Sequence, residues 1–151
     1  MLALVTGASS GIGLEYAKQL ARDYHTDLLL VSNQEEEQKK VAADLAAQYG
    51  VKTTALYADL SKQDAAENLL QYCKDNNLVV DILINNAGVF FFNPYCETSM
   101  KRIELMLNLH MITVAKLTRL FGEEMINRQL TAVEQSQKIC RKPRQKGYIL
   151  N

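Results

Sequence analysis

The stretch "LVTGASSGIG", Leu4 to Gly13, decides how the rest of the chain is read. It leaves the apolar run "LALVT" (Leu2–Thr6), passes three glycines and opens into "GLEYAKQLARDY", where Leu14, Ala17, Leu20 and Ala21 recur at helical spacing. A short run that is apolar throughout reads as a strand buried on both faces. Strand, glycine turn and helix in that order present an anion with unpaired helix N–H groups and a partial positive charge. Each glycine has a task available. Gly7 lets the chain turn sharply off the strand, Gly11 clears a side chain where backbone must approach a phosphate, and Gly13 lets the helix pack closely on the sheet. Ser9 and Ser10 add hydroxyl donors, and Ile12 belongs to the same turn. The alternative is a merely tight strand-to-helix turn; the strand before it and the helix after it favour a dinucleotide pyrophosphate.

Outward from that turn the chain alternates. "DLLLVS" (Asp27–Ser32) is a second buried strand, and "EEEQKKVAADLAAQYG" a helix with acids in its first turn and Gly50 at its end. "KTTALYA" (Lys52–Ala58) is a third strand, "DAAENLLQYCKDNN" a third helix, and "VVDILINNAG" (Val79–Gly88) carries a fourth strand. A helical stretch runs from about Ser99 to Asn127, and "GYIL" (Gly147–Leu150) reads as a fifth strand. Buried strands separated by helix-length segments are parallel, and right-handed crossovers wind them into an α/β sheet of the Rossmann type, order 3-2-1-4-5. The 151 residues make one domain, large enough for a real core. Residues 126–146, "INRQLTAVEQSQKICRKPRQK", break the pattern: polar, basic toward the end and interrupted by Pro143. They read as a helix end plus a solvated connection, or as a docking site for an anionic partner.

Lys plus Arg and Asp plus Glu both number 17, so net charge offers no argument for nucleic acid or an anionic membrane. Cys73, Cys96 and Cys140 are scattered, which suits a reducing compartment and no metal site. No basic leader precedes "LALVTG" and no apolar run spans a bilayer, so a soluble cytoplasmic protein without nucleic-acid or membrane partners is expected.

"TGASSGIG" together with "NNAG" (Asn85–Gly88) resembles the short-chain dehydrogenase/reductase family, whose GxxxGxG spacing differs from the commoner GxGxxG. "ADL" (Ala58–Leu60) matches as well, and the resemblance runs from Leu2 to Asn151. It implies a single NAD(P)-binding domain acting on a small carbonyl or alcohol. It also implies that Asp59 and Leu60 lie by the adenine, that Asn86, Ala87 and Gly88 line the cofactor cleft, and that Asn85 is more structural. Asp59 also reads as a helix N-cap, a role for which Ser61 competes.

At the end of the second strand, where a carboxylate would grip the ribose of NAD, stand Ser32, Asn33 and Gln34. Neither the acid of NAD enzymes nor the basic residues of NADP enzymes is present, since Ser10 and Asn33 occupy the family's basic positions. The missing acid tilts the expectation to NADP.

In the family a Ser, and a Tyr with Lys four residues on, carry the chemistry. None of Tyr16, Tyr24, Tyr49, Tyr57, Tyr72, Tyr95 or Tyr148 is followed by Lys at that spacing. The expectation is a C-terminally truncated fragment, ending before the catalytic Ser and inactive alone, or else a binding module. The resemblance puts the family's active-site Asn at His110, not Asn108, so His110 is the one catalytic candidate. It reads equally as a helix residue packed on the sheet. Phe90 to Phe92 form an apolar wall or, as is commoner, pack a loop over the core. Leu105, Leu109 and Ile112 on the long helix are expected to be exposed, offering a face for a homo-oligomer.

Overall fold

The computed structural model describes residues 1–136 and 148–150. Five parallel strands form one sheet: β1 (Leu2–Thr6), β2 (Asp27–Ser32), β3 (Thr53–Tyr57), β4 (Ile82–Ile84) and β5 (Tyr148–Leu150). Their order is β3-β2-β1-β4-β5, as expected from the alternation. Between them run α1 (Gly11–Tyr24), α2 (Glu35–Tyr49) and α3 (Ala65–Asp75). α4 (Met100–Leu107), a π-helical segment over Asn108–Thr113 and α5 (Val114–Ser136) follow β4.

The pleat sorts each strand's residues to opposite faces. Ala3, Val5, Leu28, Leu30, Ile82 and Ile84 pack beneath Ala17 and Ala21 of α1 and Ala42 and Leu45 of α2. Leu4, Leu29, Val31 and Leu83 pack beneath Leu69 and Cys73 of α3 and Leu117, Phe121 and Met125 of α5. Alanines on the first face let α1 and α2 sit close to the sheet; longer side chains fill the second. Burial pushes the Cys73 thiol up to about 11. Gly50 ends α2 in the left-handed conformation (φ 67°), its N–H donating to Ala46 O at 3.0 Å.

The amino-terminal edge of the sheet is fastened by charge. Asp81 Oδ2 accepts from Leu2 N–H at 3.0 Å, and Arg128 of α5 lies 3.5 Å from Asp81 and donates to Val80 O at 2.6 Å.

Several expectations need correction. The stretch from Ser99 is not one α-helix, because the π-helical segment interrupts it, and α5 continues past Asn127 to Ser136. The rest of the basic connection, 137–146, lies outside the described residues. Leu109 is buried in the core, not exposed; Leu105 is half-buried, while Ile112 is exposed as expected. The bulge explains Leu109. A π turn closes i to i+5 and so holds more residues than an α turn, which keeps Leu109, Thr113, Leu117, Phe121 and Met125 buried at every fourth position. Neither Asp59 nor Ser61 caps α3, which starts at Ala65 behind Asp64. Phe90 and Phe92 stack edge to face but are 72% and 94% exposed, and only Phe91 is sheltered, beneath Arg102 at 4.8 Å.

Among the described residues no helix is long and apolar enough to cross a membrane, and no group of three His, Cys, Asp or Glu could hold a metal.

Candidate functional site

The carboxyl ends of β1, β2, β3 and β4 open into a cleft of about 450 Å³. Open α/β sheets bind ligands at this edge. Gly7, Ser9, Ser10, Ser32, Asn33, Asp59, Leu60, Asn86, Ala87 and Gly88 all line it, although they come from four separate parts of the chain. Gly11, Ile12 and Gly13 do not. Gly13 lies behind the cleft, where a Cβ would run into the Gly7 carbonyl and the Asn86 amide. Gly11 has φ +57° with open space where a Cβ would sit, so conformation and not crowding selects glycine there. Ile12 is 71% exposed.

The glycine turn is tied to its neighbours by backbone: Gly7 N–H donates to Val31 O at 2.8 Å, and Ala58 N–H to Ser32 O at 3.0 Å. Ser10, at the N-cap of α1, is extended (φ −162°) and makes no side-chain capping bond. The first N–H groups of α1 therefore have no side-chain acceptor, an arrangement that a phosphate completes.

Thr6 joins the two halves of the cleft. Its buried hydroxyl donates to Ile84 O (3.2 Å) and accepts from the N–H groups of Asn86 (2.9 Å) and Ala87 (3.0 Å). The Asn86 side-chain amide donates to Thr6 O (3.0 Å) and Gly7 O (3.2 Å). Asn86 thus holds β1's turn while lining the cleft. Asn85 Nδ2 donates to Thr118 Oγ1 of α5 at 3.1 Å, the structural part expected of it.

At the end of β2 a closed circuit forms. Gln34 N–H donates to Ser32 Oγ (3.1 Å), Ser32 Oγ to Ser9 Oγ (3.0 Å), and Ser9 Oγ to Gln34 Oε1 (2.7 Å). Beyond it, Asp59 Oδ1 accepts from the Ser61 hydroxyl (2.6 Å) and N–H (3.1 Å) in a tight local turn. Chiefly that hydroxyl, helped by the Ser61 N–H and Lys62, holds the carboxyl below the usual range against the opposing effect of burial.

His110, on the π-helical segment, closes the other end. Its ring lies on Gly88, where a Cβ would come within 2.6 Å of Cε1. Its Nε2 meets the Val89 backbone, 3.1 Å from N and 2.8 Å from O. Neutral His110 either accepts from the N–H or donates to the carbonyl, according to its tautomer. Thr113, at the end of the same segment, donates to Leu60 O at 2.7 Å, so one helical irregularity braces both the Leu60 and the Gly88 walls.

A family model described as short chain dehydrogenase matches residues 1–134. The chain belongs to the short-chain dehydrogenase family. As such it is a member of an oxidoreductase family. It is 32% identical over 130 residues to a very-long-chain 3-oxoacyl-CoA reductase of Anas platyrhynchos, a match covering 83% of this chain and 41% of that protein. It is likewise 32% identical over 134 residues to the inactive hydroxysteroid dehydrogenase-like protein 1 of Homo sapiens, covering 87% and 40%. A short-chain dehydrogenase from Sphingobium yanoikuyae, solved in complex with NADPH, superposes with a TM-score of 0.77 at 30% identity, covering 85% of this chain and 49% of that one. The chain thus spans about two fifths of the length of these curated relatives.

Within this short-chain dehydrogenase, residue-type reasoning alone overlooked Gln34, Val89 and Leu109 as lining the cleft and Thr6 as the buried tie behind it. Thr6 stands in the glycine motif and Gln34 beside Asn33, so adjacency was the available signal. Val89 and Leu109 contribute backbone and bulk, which no residue type announces.

Proposed function

We propose that the cleft binds NAD(P)(H), with NADP(H) somewhat preferred, as the dinucleotide half of an oxidoreductase acting on a carbonyl/alcohol pair. The observation that carries this reading is convergence: Gly7, Ser9 and Ser10 of the glycine turn, the polar end of β2, Asp59 and the Asn86–Gly88 loop all line one cavity of dinucleotide-compatible chemistry. The pyrophosphate belongs on the glycine turn, the adenine beside Asp59 and Leu60, and the adenosine ribose at Ser32 and Asn33. The nicotinamide side then lies toward Ala87 and Gly88.

When bound, the cofactor supplies the hydride chemistry. The chain's own residues orient it. His110 acts through Val89 as a positioning residue, because its ring nitrogen is engaged with that backbone. None of the tyrosines from Tyr16 to Tyr95 is followed by Lys at the fourth position, so the 151 residues on their own bind without turning over. The relatives include both a reductase and a protein named inactive, so membership alone carries no turnover to this chain.

Titration of NADPH with the chain, followed by nicotinamide fluorescence, tests the reading. A saturable change is expected, with no oxidation of NADPH on adding an aldehyde or ketone. A flat titration would overturn the binding, and substrate-dependent oxidation would overturn the division of labour.

A further inference from the structure

The hydrogen-bond circuit at the end of β2 says how this cleft treats the ribose, and the inference rests on the dinucleotide reading above. Its members are neutral: Ser9, Ser32 and Gln34. Among the described residues no basic side chain lines the cleft, and the one charged residue that does is Asp59. Lys62 is 3.6 Å from Asp59, and Lys39 is held by Glu35 (2.8 Å) and Glu36 (3.2 Å) in the first turn of α2. Both cations are already paired with carboxylates.

The circuit also has one end whose direction is fixed. It starts at a backbone donor, Gln34 N–H, and ends at an acceptor that can turn over, the Gln34 carboxamide. A ribose 2′-hydroxyl is both donor and acceptor and can join the circuit as it stands. A 2′-phosphate only accepts. It takes the Ser9 proton away from Gln34 Oε1, and the carboxamide rotates to present its NH₂.

We propose that this chain reads the 2′ substituent through a reversible neutral gate centred on Gln34, so that both dinucleotides are admitted and neither is discriminated by charge. Hydrogen bonds from neutral donors to a charged acceptor exceed those to a hydroxyl by about 1 kcal/mol, so the two affinities should lie within about tenfold of each other. A difference carried by neutral bonds is nearly insensitive to ionic strength, whereas one carried by an ion pair is screened.

The test is fluorescence titration of the full chain with NADPH and with NADH at about 50 and about 500 mM salt, spanning strong and weak screening. Competition by adenosine 2′,5′-bisphosphate and by 5′-AMP isolates the ribose end. The expected result is a ratio within about tenfold that moves by less than about twofold with salt. Gln34→Arg should tighten NADPH at least about fivefold at low salt and make the ratio salt-dependent. Gln34→Met should weaken both bisphosphate and AMP about threefold or more, since it removes donor and acceptor together. Ser9→Ala, which leaves Gln34 in place, should weaken the bisphosphate more than AMP. Circular dichroism checks that each variant is folded.

A wild-type ratio beyond about tenfold, a steep salt dependence, or Gln34→Met and Ser9→Ala variants that bind as the wild type does would each overturn the gate. If neither dinucleotide binds, the proposed function itself fails, and the gate with it.

Discussion

Replacing Gly13 by Ala adds one methyl group at the most crowded point of the glycine turn. That Cβ would press on the Gly7 carbonyl oxygen and the Asn86 side-chain amide, and lie 2.9 Å from the Gly7 carbonyl carbon. Gly7 is backbone with φ +66°, tied by its N–H to Val31, so it cannot step aside. Asn86 can, but only by giving up its bonds to Thr6 O and Gly7 O. Overpacking costs about 1–3 kcal/mol. Each lost bond costs about 1 kcal/mol. Removing a helix glycine returns about 1 kcal/mol. The net destabilisation is therefore about 2–4 kcal/mol, a large share of the roughly 5–15 kcal/mol that holds a typical domain. The control is Gly11→Ala, which meets nothing within 4 Å but must hold φ +57°, at about 1–2 kcal/mol. Equilibrium urea unfolding by circular dichroism measures both. Gly13→Ala should lower the midpoint more, with an unchanged slope. If it costs no more than Gly11→Ala, the packing argument for Gly13 is wrong.

Thr6→Val keeps the shape of a buried side chain but removes the oxygen that serves Ile84, Asn86 and Ala87; a loss of about 2–3 kcal/mol in urea unfolding is expected, and less than about 0.5 would show the knot to be dispensable. His110→Ala should speed amide hydrogen exchange at Val89, and His110→Asn should restore part of the protection; equal exchange in all three proteins would remove the bracing role. Asp59 should titrate below the usual carboxylate range by NMR and move up in Ser61→Ala. Because its folded value is depressed, the stability it lends is complete above the ordinary value of about 3.9 and disappears as pH falls through the folded value. An unmoved titration in Ser61→Ala would contradict the assigned cause.

Much of this was legible in the residues because the informative signals were local. β1 and β2 have the bounds that their unbroken apolar runs suggested, and Gly50 ends α2 where a left-handed cap was needed. Strand order followed from alternation and handedness, which act on the chain as a whole. What escaped were features whose cause is tertiary. The π-helical segment looks like any helix in periodicity, and it shows only because Leu109 and Thr113 must both face the sheet. Asp59 and Ser61 are both good capping residues, yet they bond to each other four residues before α3 begins. The Gln34 circuit depends on Ser9, 25 positions away, and no sequence rule pairs them.

The Thr6 knot has a consequence for how the chain is made. Thr6 is synthesised 80 positions before its partner Asn86. At roughly 5–20 residues per second, the first strand and its glycine turn exist for about 4–16 seconds before the residue that completes them has been added. During that interval the hydroxyl of Thr6 and the carbonyls of Thr6 and Gly7 lack their Asn86 partners, and the cleft has only one of its walls. The glycine turn is therefore not a binding site when it is born. It becomes one when the fourth strand docks, so ligand capture on the ribosome should switch on late and abruptly rather than grow with chain length.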